Sequence, residues 1–411
     1  MKKSLSAALA AGVLATGLVA PVVHADPPGR NAPQLRFATF NASLNRNSPG
    51  QLEADLSTGD NAQASAVAEV IQRTRPDVVL INEFDHVEGN RAVDAFRENY
   101  LQVDHNGASA IEYPYAFTAP VNTGVDSGHD LNRNGILGEP DDAKGFGAFP
   151  GQYGMVVLSK YPIKTDEVRT FTNFKWADMP DAMLPDDPAT TTPKDWYSPE
   201  VLADLPLSSK SHWDIPVQIG AREVHTLVSH PTPPSFDGAE DRNGTRNHDE
   251  IRFWADYITP GAGGYIYDDN GGTGGLSPRE SFVIMGDQNS DPNDGDSAPG
   301  AIQQLLDNHR LVDPMPTSEG APEAATKQGG ANTNHVSQAA YDTADFSDDP
   351  TPGNLRTDYV LPSRKGLLFT DSRVFWPKSD DPLSRLTGEY PFPTSDHRMV
   401  WLDLRLTGRP A

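Results

Sequence analysis

The sequence predicts an α/β fold, a two-sheet core with helices packed outside it, and three observations carry that expectation. Apolar runs of strand length recur at residues 35–40, 76–81, 224–228, 282–285 and 399–404, and runs this short read as buried strands. Segments with helical spacing lie between several of them. Hairpin-like runs occur as well, which favours two packed sheets over one open parallel sheet.

Taken in order, each helical segment is justified by one apolar face. Ala64, Val67, Ala68 and Ile71 share a face, as do Ile251, Trp254, Ala255 and Ile258, and as do Ile302, Leu305, Leu306 and His309. For the second, Asn247 stands three residues before Glu250, an N-terminal capping pattern, and Pro260 follows the expected end. Between these elements the 35 glycines and 36 prolines concentrate at 121–151, 172–210, 231–247, 261–275 and 314–354. Loops of that length in a folded domain are expected at a functional rim.

The first 25 residues read as a secretory signal: Lys2 and Lys3, an apolar stretch over 7–20, then Val23, His24 and Ala25 as a small-residue cleavage site. The expected product, residues 26–411, is one exported, extracellular domain with no membrane span and no evident obligate protein partner. Cysteine is absent, which excludes a disulfide framework and thiolate metal sites. No His/Cys pair shows zinc-ligand spacing. The net charge of −24 repels a polyanion unless cations or a local basic patch oppose it, which disfavours long DNA as a substrate.

The strand-like runs carry the chemistry at their ends. Asn41, Asn82 with Glu83, His230, and Asp287 with Asn289 follow four of them, while Ser395, Asp396 and His397 precede the fifth. This collects carboxylates, amides and imidazoles on one sheet edge. A phosphate ester handled with a divalent cation needs that inventory: oxygen ligands, an activated water and a proton donor.

Residues 154–163, Gly-Met-Val-Val-Leu-Ser-Lys-Tyr-Pro-Ile, and Asp358 within Thr357-Asp358-Tyr359-Val360 complete an ordered set. That set resembles the endonuclease/exonuclease/phosphatase superfamily over nearly the whole mature chain. At Asn82-Glu83 the sequence departs from the superfamily's more usual Gln-Glu. The resemblance implies a four-layer αββα sandwich, with two packed mixed sheets flanked by helices and long loop insertions, and a site at one edge of the sheets. It also implies roles. Glu83, Asn41 and Asp396 would hold the divalent ion, with Mg²⁺ suited best and Mn²⁺ or Ca²⁺ the alternatives. Asp287 would deprotonate the attacking water, Asn289 would hold a phosphate oxygen, and His397, fixed by Asp358, would stabilise charge on the phosphate. His230 would donate to a phosphate oxygen or the leaving group.

Three features lie beyond that set. Asp130, Asn132, Asn134 and Asp141 match the spacing of a calcium loop, although flanking helices are not evident and position twelve is Asp in place of Glu. Lys210, Arg242 and Arg246 are candidate anion anchors, with His212 beside them. Tyr153, ahead of the 154–163 segment, is a further pocket candidate, although a core tyrosine is the favoured reading. The expected activity is hydrolysis of phosphate mono- or diesters by a metal-dependent phosphoesterase, on a phosphorylated small-molecule, lipid or nucleic-acid substrate. An extracellular nuclease is the alternative; an inactive binding protein on the same fold is disfavoured by the intact set.

Overall fold

Alternation along the strands decides the layers. In a computed structural model, which describes residues 34–349 and 351–407, the chain first lays down β1 (Gln34–Leu44), β2 (Val78–Phe84), β3 (Tyr115–Phe117) and β4 (Met155–Ser159). A second sheet follows, with β5 (Arg169–Thr170), β6 (His212–Ile219), β7 (Arg222–Ser229), β8 (Phe282–Asp287) and β9 (Asp358–Pro362). The chain then returns to the first sheet with β10 (Leu367–Val374) and β11 (Val400–Leu406). The signal-like segment 1–25 lies outside the described residues. No helix among the described residues is long and apolar enough to cross a membrane.

The spatial orders are β10, β11, β1, β2, β4, β3 and β5, β6, β7, β8, β9. Both sheets are mixed: β1 with β2 and β7 with β8 pair in parallel, and the other neighbours pair antiparallel. Each parallel pair needs a crossover, supplied by the helices Ala62–Thr74 and Arg242–Ile258. Those crossovers cover the outer faces. Phe37, Val78, Leu80, Val283, Met285 and Leu402 point between the sheets into one apolar cluster. Their neighbours Ala38, Val79 and Ile81 face the first helix layer, and Phe282 and Ile284 face the second. The result is the four-layer αββα sandwich, with apolar residues on both faces of each central strand.

The same alternation carries polar groups to the sheet edge. Asn41 follows Phe37 and Thr39 in the inward register, Asn82 follows Val78 and Leu80, and Asp287 follows Val283 and Met285. At Glu83 the pattern breaks. Its φ of 58° turns the backbone through the left-handed region, which a non-glycine residue occupies only when its surroundings enforce it.

Two expected elements differ. The Arg242–Ile258 helix starts five residues before Asn247, so Asn247 and Glu250 lie buried inside it and do not cap it. Both are held by tertiary hydrogen bonds that a local pattern does not encode. The 302–309 segment contains only a short helix, Gln303–Leu306, yet still buries Ile302 and Leu305.

Gly286 sets how closely β8 approaches β7. A Cβ there would lie 2.1 Å from the Ser229 carbonyl oxygen and 2.8 Å from the Gln288 amide nitrogen. Gly286→Ala should therefore destabilise the protein by about 1–3 kcal/mol through forced repacking, lowering the melting temperature and displacing Asp287 so that turnover falls with it. An unchanged melting curve with unchanged turnover would show that this approach is dispensable.

Candidate active site

One carboxylate oxygen is the focus of the sheet edge. Asp287 Oδ2 lies 3.1 Å from the Asn41 amide nitrogen, 3.4 Å from His230 Nε2 and 3.5 Å from His397 Nε2. Its other oxygen accepts the Asn289 backbone amide at 2.9 Å. Burial alone would push Asp287 up, but His397, His230 and Asn41 together hold it well below the usual carboxylate range. It is therefore an ionised base in a site that excludes bulk water.

Asp287 and Asp358 are register partners on the antiparallel pair β8 and β9. The His397 ring spans them, with Nδ1 2.9 Å from Asp358 Oδ2. Thr343 donates its hydroxyl to that same oxygen at 2.8 Å, and Phe346 packs edge-on to the imidazole at 5.2 Å. Burial would depress His397, yet the two aspartates raise it well above the ordinary histidine range. The ring is thus an imidazolium, fixed in orientation by Asp358.

The Glu83 carboxyl is half-buried at the cavity, and burial pushes it up to about 7; Asn41 opposes this and Asp396 reinforces it. Its hydrogen bond comes from the Asn41 amide at 3.0 Å. A desolvated carboxylate with a second carboxylate in its field suits a hard divalent cation, so Glu83 and Asp396 fit the ion that the resemblance implies. Asn41 plays another part. Its amide nitrogen donates to both Glu83 and Asp287, and its oxygen accepts the Ser43 amide at 3.2 Å. It spaces the two carboxylates, and its oxygen keeps a second lone pair beyond the one that Ser43 uses. Asp287, Asp358 and His397 also offer donor atoms within 4.8 Å of one another, but both ring nitrogens already face carboxylates, which makes that trio a proton-holding array.

A cavity of about 490 Å³ opens beside Glu83. His230 lines it, with its imidazole pushed down to about 4 by burial and then by Lys210. His230 is therefore neutral and serves as a hydrogen-bond donor in place of a strong acid. Lys210 also lines the cavity. Among the described residues no carboxylate is within ion-pair distance of its buried ammonium, although Glu250, Glu83 and Asp287 act on it at longer range. Arg246 lines the same wall, with Nε on the Leu207 carbonyl at 2.8 Å and Nη2 on those of Lys144 and Pro206. Arg242 is neutralised by Glu240 and approached by Asp141 at 3.5 Å. Tyr153, Tyr197, Phe146 and Phe236 supply the aromatic wall. Phe236 is 86% exposed at a φ of 70°, an aromatic held at the mouth by a strained backbone.

Other candidates stand elsewhere. His212 is not at the rim: it starts β6, fully buried, with its nitrogens 2.6 Å from Ser208 Oγ and 2.9 Å from the Glu250 carbonyl. Its ring packs on Phe253 and Trp254, so it belongs to the outer core. Asn289 donates its side-chain amide to the Pro231 carbonyl at 3.0 Å, which joins the Asp287 and His230 loops. In the 130–141 segment, Asp130 accepts the Asn134 and Gly135 amides, and Asn132 and Asn134 close further turns on the backbone. Asp141 turns out to the cavity, while Asp142 faces inward and accepts the Leu131 amide at 2.8 Å.

Several positioning roles escaped the sequence reading. Asn82 Oδ1 accepts the Asp287 amide at 3.3 Å. Asn247 donates to the carbonyls of Thr232 and Gln288 at 2.8 and 2.9 Å. Glu250 accepts the amides of Ser209 and Thr232, each at 2.6 Å. Polar residues inside an amphipathic helix, three apart, were the available signal.

The endonuclease/exonuclease/phosphatase family model matches residues 38–397. The chain belongs to that family, whose members are hydrolases of phosphoester bonds that depend on a divalent metal. Among solved structures it is similar to an endonuclease/exonuclease/phosphatase from Beutenbergia cavernae DSM 12333, at 17% identity over 91% of this chain and 72% of that chain, TM-score 0.49. It is similar to sphingomyelinase C from Streptomyces griseocarneus at 15% identity over 90% of this chain and 99% of that chain, TM-score 0.42. A family protein from Bacteroides thetaiotaomicron gives 12% identity over 92% and 100% of the two chains, TM-score 0.45. No curated protein matches the sequence.

The His397–Asp358 pair makes a signed pH prediction. Activity that needs the imidazolium is lost as pH rises through the His397 pKa. Asp358→Asn removes the charge that raises this pKa and leaves burial to depress it. The alkaline limb of the kcat/KM profile should move down by about 1–3 pH units. An alkaline limb that stays in place would dissociate His397 from the activity.

Proposed function

We propose that the chain is an exported, divalent-metal-dependent phosphoesterase acting on a small phosphate mono- or diester, such as a phosphorylated metabolite or a lipid headgroup. The observation that carries this reading is the convergence of Asn41, His230 and His397 on one ionised oxygen of Asp287, beside a cavity that His230 and Glu83 line together with Lys210 and Arg246. The cavity volume suits a small ligand. The net charge of −24 opposes duplex DNA, the alternative substrate. Export rests on the signal pattern of residues 1–25.

In this reading Glu83 and Asp396 hold the cation, with Mg²⁺ favoured over Mn²⁺ or Ca²⁺ by the all-oxygen donor set. Bound there, the ion neutralises charge on a phosphoryl oxygen. The chain's own residues do the rest. Asp287 takes one proton from a water as that water's oxygen bonds to phosphorus. The bond to the leaving oxygen breaks in line, and the leaving oxygen acquires its proton from solvent. As Asp287 takes up that proton, the Nε2–H groups of the His397 imidazolium and of neutral His230, which hold the ionised Asp287 beforehand, turn to donate to the phosphoryl oxygens, where charge accumulates. Lys210 attracts the anionic ester before chemistry begins, and Tyr153 with the phenylalanines packs against the remainder of the substrate.

The test is hydrolysis of a panel holding bis-p-nitrophenyl phosphate, p-nitrophenyl phosphate, inositol phosphates, phospholipids and plasmid DNA, with Mg²⁺, Mn²⁺ or Ca²⁺ and with EDTA. One small-ester class should turn over, and EDTA should abolish it. Asp287→Ala and His397→Ala should each lower kcat by about 10²–10⁴-fold, while Lys210→Ala should act mainly on KM. Preferred cleavage of plasmid DNA would replace this reading with the nuclease. Turnover untouched by Asp287→Ala would remove the site assignment.

A further inference from the structure

A second donor cluster lies at the opposite end of β7 from His230. His225 sits five residues before His230, about 16 Å along an extended strand, on the face that Leu227 turns toward the helix layer. Its Nδ1 is 2.6 Å from Asp214 Oδ1, and its Nε2 is 3.1 Å from Glu223 Oε1. Glu280, just ahead of β8, brings a third side chain, so that Glu223, His225 and Glu280 offer donor atoms all within 4.8 Å of one another.

The geometry constrains what occupies the centre. Asp214 is buried, and Tyr257 donates to its other oxygen at 2.6 Å, so the proton on Nδ1 is directed to Asp214. That leaves Nε2 against a carboxylate oxygen at 3.1 Å. A bare lone pair and an anionic oxygen repel at this distance unless a proton or a metal cation lies between them. For ligand bonds of about 2.1 Å, the 3.1 Å separation corresponds to an angle of about 95° at a shared ion. A carboxylate on the far ring nitrogen is also the usual support of a metal-bound histidine.

We propose that Glu223, His225 and Glu280 form a first-row divalent-metal site, for zinc or manganese, separate from Glu83 and Asp396. One imidazole nitrogen with two carboxylates favours such ions over Ca²⁺ or Mg²⁺. Binding displaces the proton from Nε2 into solvent. The charged and titratable groups facing it are Asp214, Glu223 and Glu280, with Lys164 paired to the second Glu223 oxygen and Tyr257 behind Asp214. All three donors are half-buried and reachable from water. An ion here ties β7 to the segment leading into β8 and, through Asp214, to β6. It thereby supplies a cross-link to a chain without cysteine.

Calorimetric titration of the full chain carrying Glu83→Gln, with Zn²⁺ and separately with Mn²⁺, tests this while weakening the catalytic metal site. The expected result is a binding event accompanied by a raised melting temperature. Adding Glu280→Gln, a change at a half-exposed position, should weaken it at least tenfold, and His225→Gln should do the same. Absence of binding by both ions, or an isotherm indifferent to Glu280→Gln and His225→Gln, would overturn the proposal and leave a proton-bridged ion-pair network.

Discussion

The ionised carboxylate of Asp287 is the constraint on which the edge of this molecule depends. It is buried, and burial of an unpaired charge is prohibitive unless donors compensate it. Four do so: the Asn41 amide, the Asn289 backbone, and the imidazoles of His230 and His397. Each comes from a different part of the chain, so the charge is tolerable only when both sheets are packed in register. Folding and assembly of the site are in this sense one event.

Asp358 extends the arrangement. Because it is the register partner of Asp287, its distance from the base is set by strand pairing, and the imidazole of His397 fits between them. Thr343 secures the far carboxylate. Arg398 secures the turn that delivers the ring, donating to the Ser395 carbonyl at 2.6 Å and to Asp345 at 3.0 Å. The charges alternate along the row as carboxylate, imidazolium, carboxylate, so the protonation state of each follows from its neighbours more than from its own chemistry.

Much of this was legible in the sequence, and the physical reason is the two-residue period of strands. Where an apolar run ends in Asn41, Glu83 or Asp287, or starts from Asp358, the polar residue must emerge at a sheet edge, because neither face of a buried strand accepts it. The apolar faces at 64–71 and 251–258 were readable for the corresponding reason in helices. What failed was local pattern where tertiary bonds decide. His212 beside Lys210 looked like a rim residue, yet β6 begins at His212, whose ring turns to the helix layer at Phe253 and Trp254, while Lys210 lies in the bend before the strand. Asn247 and Glu250 mimicked a cap because their true partners lie on remote loops. The aromatic wall of Phe146 and Phe236 was invisible because it depends on the course of loops that have no period.

Glu250 has a consequence for how this scaffold diversifies. One carboxylate accepts the backbone of Ser209 and of Thr232, the segments that carry Lys210 and follow His230, and Asn247 one turn away adds Gln288. Three loops at the cavity edge are thus hung from a single turn of one helix, and rerouting the Ser209 or the Thr232 loop leaves the Glu250 charge without one of its donors. Descendants of this chain that acquire new substrates are therefore restricted to exchanging side chains at the cavity mouth, around Phe146 and Phe236, while the inner loops remain a fixed socket.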